Sequence, residues 1–478
     1  MRLLLRGFDL VATMDDGGTE LAGADVLIDG PVIEAVGVGL GGDGVGKDGP
    51  AGLRPGGLRP VGLRPAIDRE VDCRGLVCLP GLINSHQHLY QGACRAVPNL
   101  ERVLIGPWLA GLGRLVKGWY EAGVFGPEVV GAVATAVLAE SLLGGVTTVA
   151  DQHYFFPAGQ SLPYIEATIQ AADEAGVRLH ACRGTLTKGP DPDLVQSVDE
   201  VMAHCARLIG DYHDPAPGAR VRIGLAPCGA HVDEPALFDE LANLAADHEA
   251  VRLHTHLYEE VDASVCRDRY GCTPWELLVA HGWAQPRTWV AHAVNPPQAE
   301  INEMAGAGVG ISHVIAPDLR MGWGPAPLRD FVDAGVTVGF GTTGSASNDG
   351  ANLMGDLRLA ALAHRSREPK SPERWLSTRE LLGMATRGSA ACLGRDDLGV
   401  IGPGRRADLA AWDLTTVDRI GVHDPLSGLL LTGLSSAASL VVVDGQVLIE
   451  DGRPTRLDTA AVAARARQAL AKAAASGR

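Results

Sequence analysis

Eight short apolar runs recur between residues 79 and 342, at 79–86, 146–151, 177–183, 220–226, 251–257, 288–293, 309–314 and 336–342, separated by longer stretches of helical periodicity. Runs such as VRLHACR, VRIGLAP and VRLHTHL are rich in aliphatic residues and nearly continuous, the pattern of strands covered on both faces. Between them, ALFDELANLAADHE (236–249) keeps Leu and Ala on one helical face. TPWE (273–276) has Thr at an N-cap, Pro in the first turn and Glu three residues on. Eight strands alternating with helices predict an α/β fold, a closed (β/α)8 barrel of the TIM type, spanning 79–395.

The two ends of the chain read differently. Short β-like pieces, LLLRGFDLVATM and ADVLIDGPVIEAVG, occupy 3–36, and RADLAAWDL and ASLVVVDGQVLIEDGRP return at 406–414 and 438–454 with the same Asp-Gly turn. Segments 1–78 and 396–455 are therefore expected to pair into one small β-sandwich domain around the inserted barrel. The Ala-rich stretch 456–478 predicts a terminal helix packed outside the core. Three copies of Gly-Leu-Arg-Pro, starting at Gly52, Gly57 and Gly62, sit in a Gly- and Pro-rich segment (40–66) that cannot sustain a ladder or helix, and this predicts a flexible loop.

Composition narrows the partners. A formal charge of −16 with no basic run argues against nucleic acid and anionic membrane surfaces. No apolar stretch reaches the length of a membrane helix, and MRLLLRGFDLVAT meets polar residues too soon for a signal peptide, so a cytoplasmic enzyme is expected. The nine cysteines are scattered and odd in number, which reads as reduced, mostly buried thiols.

Catalytic groups of such barrels stand just past the C-terminal strand ends. His86 and His88 follow the first run, His256 closes the fifth and His292 the sixth. Residues two apart on a strand face the same side, so His86 and His88 point together. Any one of these rings could cap a strand; four at equivalent strand ends point to a metal. Imidazole suits zinc, and ferrous iron is the alternative; one divalent ion is expected.

The motifs PGLINSHQH, HTHLYE, AHAV and GTTGSASND, in this order, resemble the amidohydrolase superfamily, over about residues 3 to 450. The resemblance implies one divalent metal held by His86, His88 and His256, with His292 as a further ligand or a partner of the metal's water. Members acting on nitrogen heterocycles usually carry Asp where this chain has Thr343. With Thr there the protein brings no charge to the metal, which should acidify its water more strongly. What is lost is a proton shuttle, and Glu259, three residues after His256, is left as the proton donor and acceptor. Chloride or an alkylthio group leaves without a proton, whereas ammonia needs one delivered. Together with VIAPDLRMGWG (314–324) and RAVPNLERV (95–103), this is most similar to the s-triazine hydrolase group.

The expected activity is hydrolytic displacement of chloride, alkylthio or amino from an N-heteroaromatic ring, with Glu259, His292 and Thr343 as the catalytic set. Gln91, Trp108, His153, Tyr154, Pro317, Met321 and Trp323 are candidates to line the substrate pocket, the two indoles as faces for a flat ring and Met321 as an adaptable wall. Asn348 and Asp349 are expected to fix their loop rather than ligate. The alternatives are a deaminase of a guanine-, 8-oxoguanine- or pterin-like base using Glu259 for every proton transfer, and a metal-binding scaffold without catalysis. A small N-heterocyclic substrate and a symmetric homodimer complete the expectation.

Overall fold

The computed structural model describes residues 1–40, 66–189, 191–433 and 435–476. The Gly-Leu-Arg-Pro copies lie outside the described residues. The chain opens with β1 (Arg2–Ala12), β2 (Glu20–Asp29), β3 (Val32–Gly37), β4 (Arg69–Asp72) and β5 (Leu76–Pro80). Eight strands follow: β6 (Leu82–Gln87), β7 (Val146–His153), β8 (Arg178–Thr185), β9 (Val221–Pro227), β10 (Arg252–Leu257), β11 (Thr288–His292), β12 (Gly310–His313) and β13 (Thr337–Phe340). Their ends agree with the eight apolar runs to within three residues.

β6 to β13 pair in parallel, each with its neighbour in sequence. The two edges then meet: the N–H groups of Thr342 and Thr343 donate to the His86 carbonyl at 3.2 and 2.9 Å, and the Ser85 hydroxyl donates to the Phe340 carbonyl. The eight strands thus form a nearly closed barrel. The helix expected at 236–249 is Pro235–Ala246, burying Leu237, Phe238, Leu241 and Ala245. Thr273 and Glu276 form the reciprocal capping box that their spacing predicts.

β14 (Leu409–Asp413), β15 (Leu440–Val443), β16 (Gln446–Glu450) and β17 (Arg453–Pro454) join β1–β5 in one nine-stranded sheet built from both ends of the chain. The sheet wraps round a core of its own, including Leu5, Phe8, Val26, Ile33, Leu409 and Val442. Residues 405 to 407 return to β3, with Ile33 N–H donating to the Arg405 carbonyl and Ala407 N–H to the Pro31 carbonyl, each at 2.9 Å. Asp444 and Gly445 both have φ above zero, as a two-residue hairpin between β15 and β16 requires. Gly445 also lies against Gly30, whose carbonyl would be 1.9 Å from any added Cβ, so the Asp-Gly turns of the two termini pack together.

The run 79–86 crosses from one sheet to the other. Leu79 and Pro80 belong to β5; Gly81 N–H then donates to the Asp408 carbonyl of the terminal sheet, and Leu82 N–H to the Gly145 carbonyl beside the barrel. A second tie is ionic. Arg178 on β8, fully buried, grips both oxygens of Asp408 at 2.7 and 3.0 Å and reaches Asp444 at 2.7 Å. Asp408→Ala is expected to cost about 3 kcal/mol in urea unfolding, the low end for stranding a buried charge because Asp444 remains. A change below about 0.5 kcal/mol, the scale of an ordinary surface substitution, would show that the pair does not tie the two sheets.

The final helix, Thr459–Ser476, lies against the helix Pro127–Leu143, and Arg465 pairs with Glu174 at 2.8 Å. All nine cysteines are free, and eight are buried. Among the described residues no helix is long and apolar enough to cross a membrane.

Candidate active site

The C-terminal ends of β6 and β10 bring His86, His88 and His256 together, with one ligand-capable atom of each within 4.8 Å of the others. Hydrogen bonds decide which atoms those are. His88 Nδ1–H donates to the Gln152 carbonyl at 2.8 Å, and His256 Nδ1–H to the Cys228 carbonyl at 2.6 Å. A carbonyl only accepts, so both rings carry their proton on Nδ1 and leave Nε2 bare. These two Nε2 atoms face each other at 3.3 Å, and the Nε2 of His86 is buried without a partner. Burial holds His86 and His88 well below the usual imidazole range and brings His256 down to about 3. Three neutral rings with converging lone pairs fit a divalent cation, which takes deprotonated ligands.

His292, at the end of β11, stands beside this set, its ring centroid 5.5 Å from that of His256. Its Nδ1 is 2.7 Å from Asp318 and its Nε2 3.3 Å from Glu259, so both nitrogens face carboxylates. Burial pushes its pKa down, but the charges of Glu259 and Asp318 outweigh that and the net shift is upward. The ring thus bridges two acids. Burial raises the Asp318 carboxyl in turn, and its second oxygen has no partner.

Thr343 follows β13 with φ at +58°, a region a β-branched residue seldom enters. Its N–H bond to the His86 carbonyl holds the turn, and its buried hydroxyl has no partner. Strain of this kind costs on the order of 1–3 kcal/mol and persists where the surroundings fix it. Asn348 and Asp349 fix the loop as expected: Asn348 donates to the Thr342 carbonyl at 2.8 Å and to Asp356 at 2.7 Å, while Asp349 accepts from Ala96 N–H and pairs with Arg320.

A cleft lined by His88, His256, Glu259, His292 and Thr343 opens above the converging imidazoles. Of the residues expected to line it, Gln91, Trp108, Tyr154, Pro317, Met321 and Trp323 do so. Trp323 stands between Gly322 and Gly324, both with φ near +80°, a backbone path that places its half-buried ring 5.8 Å from that of His292. The indole N–H of Trp108, a residue of the cleft wall, is buried with no acceptor. Gln91 spends its amide on the wall itself, donating to the Tyr154 hydroxyl at 2.9 Å and accepting from Ala346 N–H at 3.3 Å.

His153 corrects the expectation. It is fully buried among Tyr90, Phe156 and Tyr164, with Nε2–H donating to the Phe155 carbonyl at 3.0 Å, and does not reach the cleft. At the end of β7 the side chain that turns to the cleft is the next one, Tyr154.

Sequence reasoning missed Asp318, His231, Cys228 and His254. The first lies on a short helix, Ile315–Arg320, with no local signal linking it to His292. His231 and Cys228 line the cleft from the loop after β9. His254 had a readable signal: it stands two residues before His256, the same spacing that pairs His86 with His88.

A family model described as "Amidohydrolase family" matches residues 77–448. The chain is 36% identical to 8-oxoguanine deaminase of Pseudomonas aeruginosa over 469 residues, covering 96% of each protein. It is 34% identical to hydroxydechloroatrazine ethylaminohydrolase of Pseudomonas sp. strain ADP, covering 95% of this chain and 92% of that one. Among solved structures it resembles atrazine chlorohydrolase from Arthrobacter aurescens TC1 complexed with zinc, at 55% identity and a TM-score of 0.92, over 98% of this chain and 100% of that one.

Proposed function

The chain belongs to the amidohydrolase family and is a hydrolytic enzyme, and on that premise we propose that it displaces chloride, an alkylthio group or an amino group from an s-triazine or similar N-heteroaromatic ring. The observation that carries the reading is the convergence of three bare imidazole nitrogens, two of them on His88 and His256 in the lining of an aromatic-walled cleft that also includes Glu259. His86, His88 and His256 would hold one divalent cation, zinc in the similar atrazine chlorohydrolase structure. When bound, such an ion acts as a Lewis acid and makes water a nucleophile near neutral pH.

The chain's own residues supply the rest. Trp108 and Trp323 present broad apolar faces to a flat ring, and the unpartnered indole N–H of Trp108 can donate to a ring nitrogen. Met321 and Pro317 line the same space and accept alkyl substituents without demanding one shape. Glu259 carries the proton: its Oε1 is 3.3 Å from His292 Nε2, so the ring can relay a proton to it, and Asp318 behind His292 keeps that ring oriented. A proton placed by Glu259 on a ring nitrogen draws electrons from the adjacent carbon, where attack follows.

Thr343 brings no second carboxylate, which favours leaving groups that need no proton. The 36% identity to 8-oxoguanine deaminase supports a second reading, deamination of a purine-like base with Glu259 serving both proton transfers. Zinc-reconstituted protein offered chloro, methylthio and amino versions of one triazine, beside guanine and 8-oxoguanine, separates the two. We expect kcat/KM for the chloro and methylthio compounds to exceed that for 8-oxoguanine by at least about tenfold, which is roughly 1.4 kcal/mol of transition-state preference. Ammonia release from the purine outrunning both would reverse the assignment.

A further inference from the structure

The three converging imidazoles are not held alike. His88 and His256 each give Nδ1–H to a backbone carbonyl, but the Nδ1 of His86 meets another ring, His254 Nε2, at 2.8 Å. Behind it, His254 Nδ1 lies 2.9 Å from the Trp289 carbonyl. We propose that His254 is a positioning residue that fixes the proton of His86 on Nδ1 and the orientation of that ring, and so sets the affinity of the three-imidazole site for its cation.

The assignment follows from what each atom can do. The Trp289 carbonyl only accepts, so His254 carries a proton on Nδ1. In a neutral imidazole the other nitrogen is then a bare acceptor, and His86 must donate to it from Nδ1. That leaves the lone pair of His86 Nε2 aimed at the point where the lone pairs of His88 and His256 converge. A site with all three protons already in place needs no tautomer change to take up a cation.

Trp289 holds the relay from two sides. Its ring stacks on His254 with centroids 4.3 Å apart and planes 16° from parallel, and its indole N–H donates to the Ser85 carbonyl at 3.0 Å, next to His86 in the chain. The His254 ring is therefore clamped between the Trp289 face and carbonyl, while the backbone carrying His86 is tied to the same tryptophan. His86 inherits its orientation from β11, two strands' worth of packing away from its own carbonyl bonds.

The inference rests on the cation reading but not on any substrate, so zinc affinity tests it without turnover. Chelator competition on the full chain should show His254→Leu binding zinc roughly 10–100-fold more weakly than wild type, the usual effect of removing a group that orients a metal ligand. His254→Gln should recover most of the loss, since its amide oxygen accepts and its amide nitrogen donates. The thermal midpoint of the metal-stripped variants reports folding separately. Nitrogen-15 NMR of the metal-stripped wild type should find His86 protonated on Nδ1, and this measurement stands even if His254→Leu fails to fold. Unchanged zinc affinity in a folded His254→Leu protein, equal losses in the Leu and Gln variants, or a His86 proton on Nε2 would each overturn the proposal.

Discussion

Glu259→Gln is expected to lower kcat on a chloro- or methylthio-triazine by about 10²–10⁴-fold while the zinc content stays at the wild-type level. The substitution keeps the shape of the side chain and its place on the cleft wall, 9% exposed, but removes the oxygen that can take and return a proton. Glu259 is outside the three-imidazole set, so the cation should remain. Its contact with His292 Nε2 also disappears as an ion pair, which leaves Asp318 as the one carboxylate bonded to that ring. The loss should therefore fall mainly in kcat, with KM changing less, because a group used for proton transfer acts in the transition state more than in substrate binding. Wild-type turnover in the Gln variant would remove Glu259 from the chemistry; a parallel loss of zinc would make it a holder of the metal instead.

Replacing one of the converging rings should do more. His256→Ala takes away a buried donor whose Nδ1–H is anchored on the Cys228 carbonyl, leaving two imidazoles and a cavity. Zinc measured by elemental analysis should fall well below one ion per chain, and hydrolysis should drop to the background rate. Chelation of the wild type should have the same effect on activity and should be reversed by added zinc. The apoprotein should also melt lower than the zinc form, since a ligand present at about 100 times its dissociation constant adds roughly 2.7 kcal/mol to the folded state. Full activity in metal-free protein would end the metal reading altogether.

Glu259 was legible because a carboxylate three residues past a strand-end histidine must lie near it, whatever the rest of the barrel does. Thr343 was legible only against the resemblance; its left-handed φ and unpartnered hydroxyl belong to a loop held by the His86 carbonyl, on the strand that adjoins β13 in space but lies at the other end of the barrel's sequence. His153 misled because a position at the end of β7 says that a residue is near the mouth, not which way it leans, and packing against Tyr90, Phe156 and Tyr164 drew it into the core. Asp318 carried no local signal, since its partner is 26 residues away on another strand end.

The order of the eight barrel strands and the residues at their ends could be read from the chain, because burial on both faces imposes continuous apolar runs and strand geometry fixes which neighbours share a side. Which nitrogen of each imidazole is free could not. That choice is made by acceptors distant in sequence, the Gln152 and Cys228 carbonyls and a ring 168 residues from His86, and only folding brings them within hydrogen-bond reach.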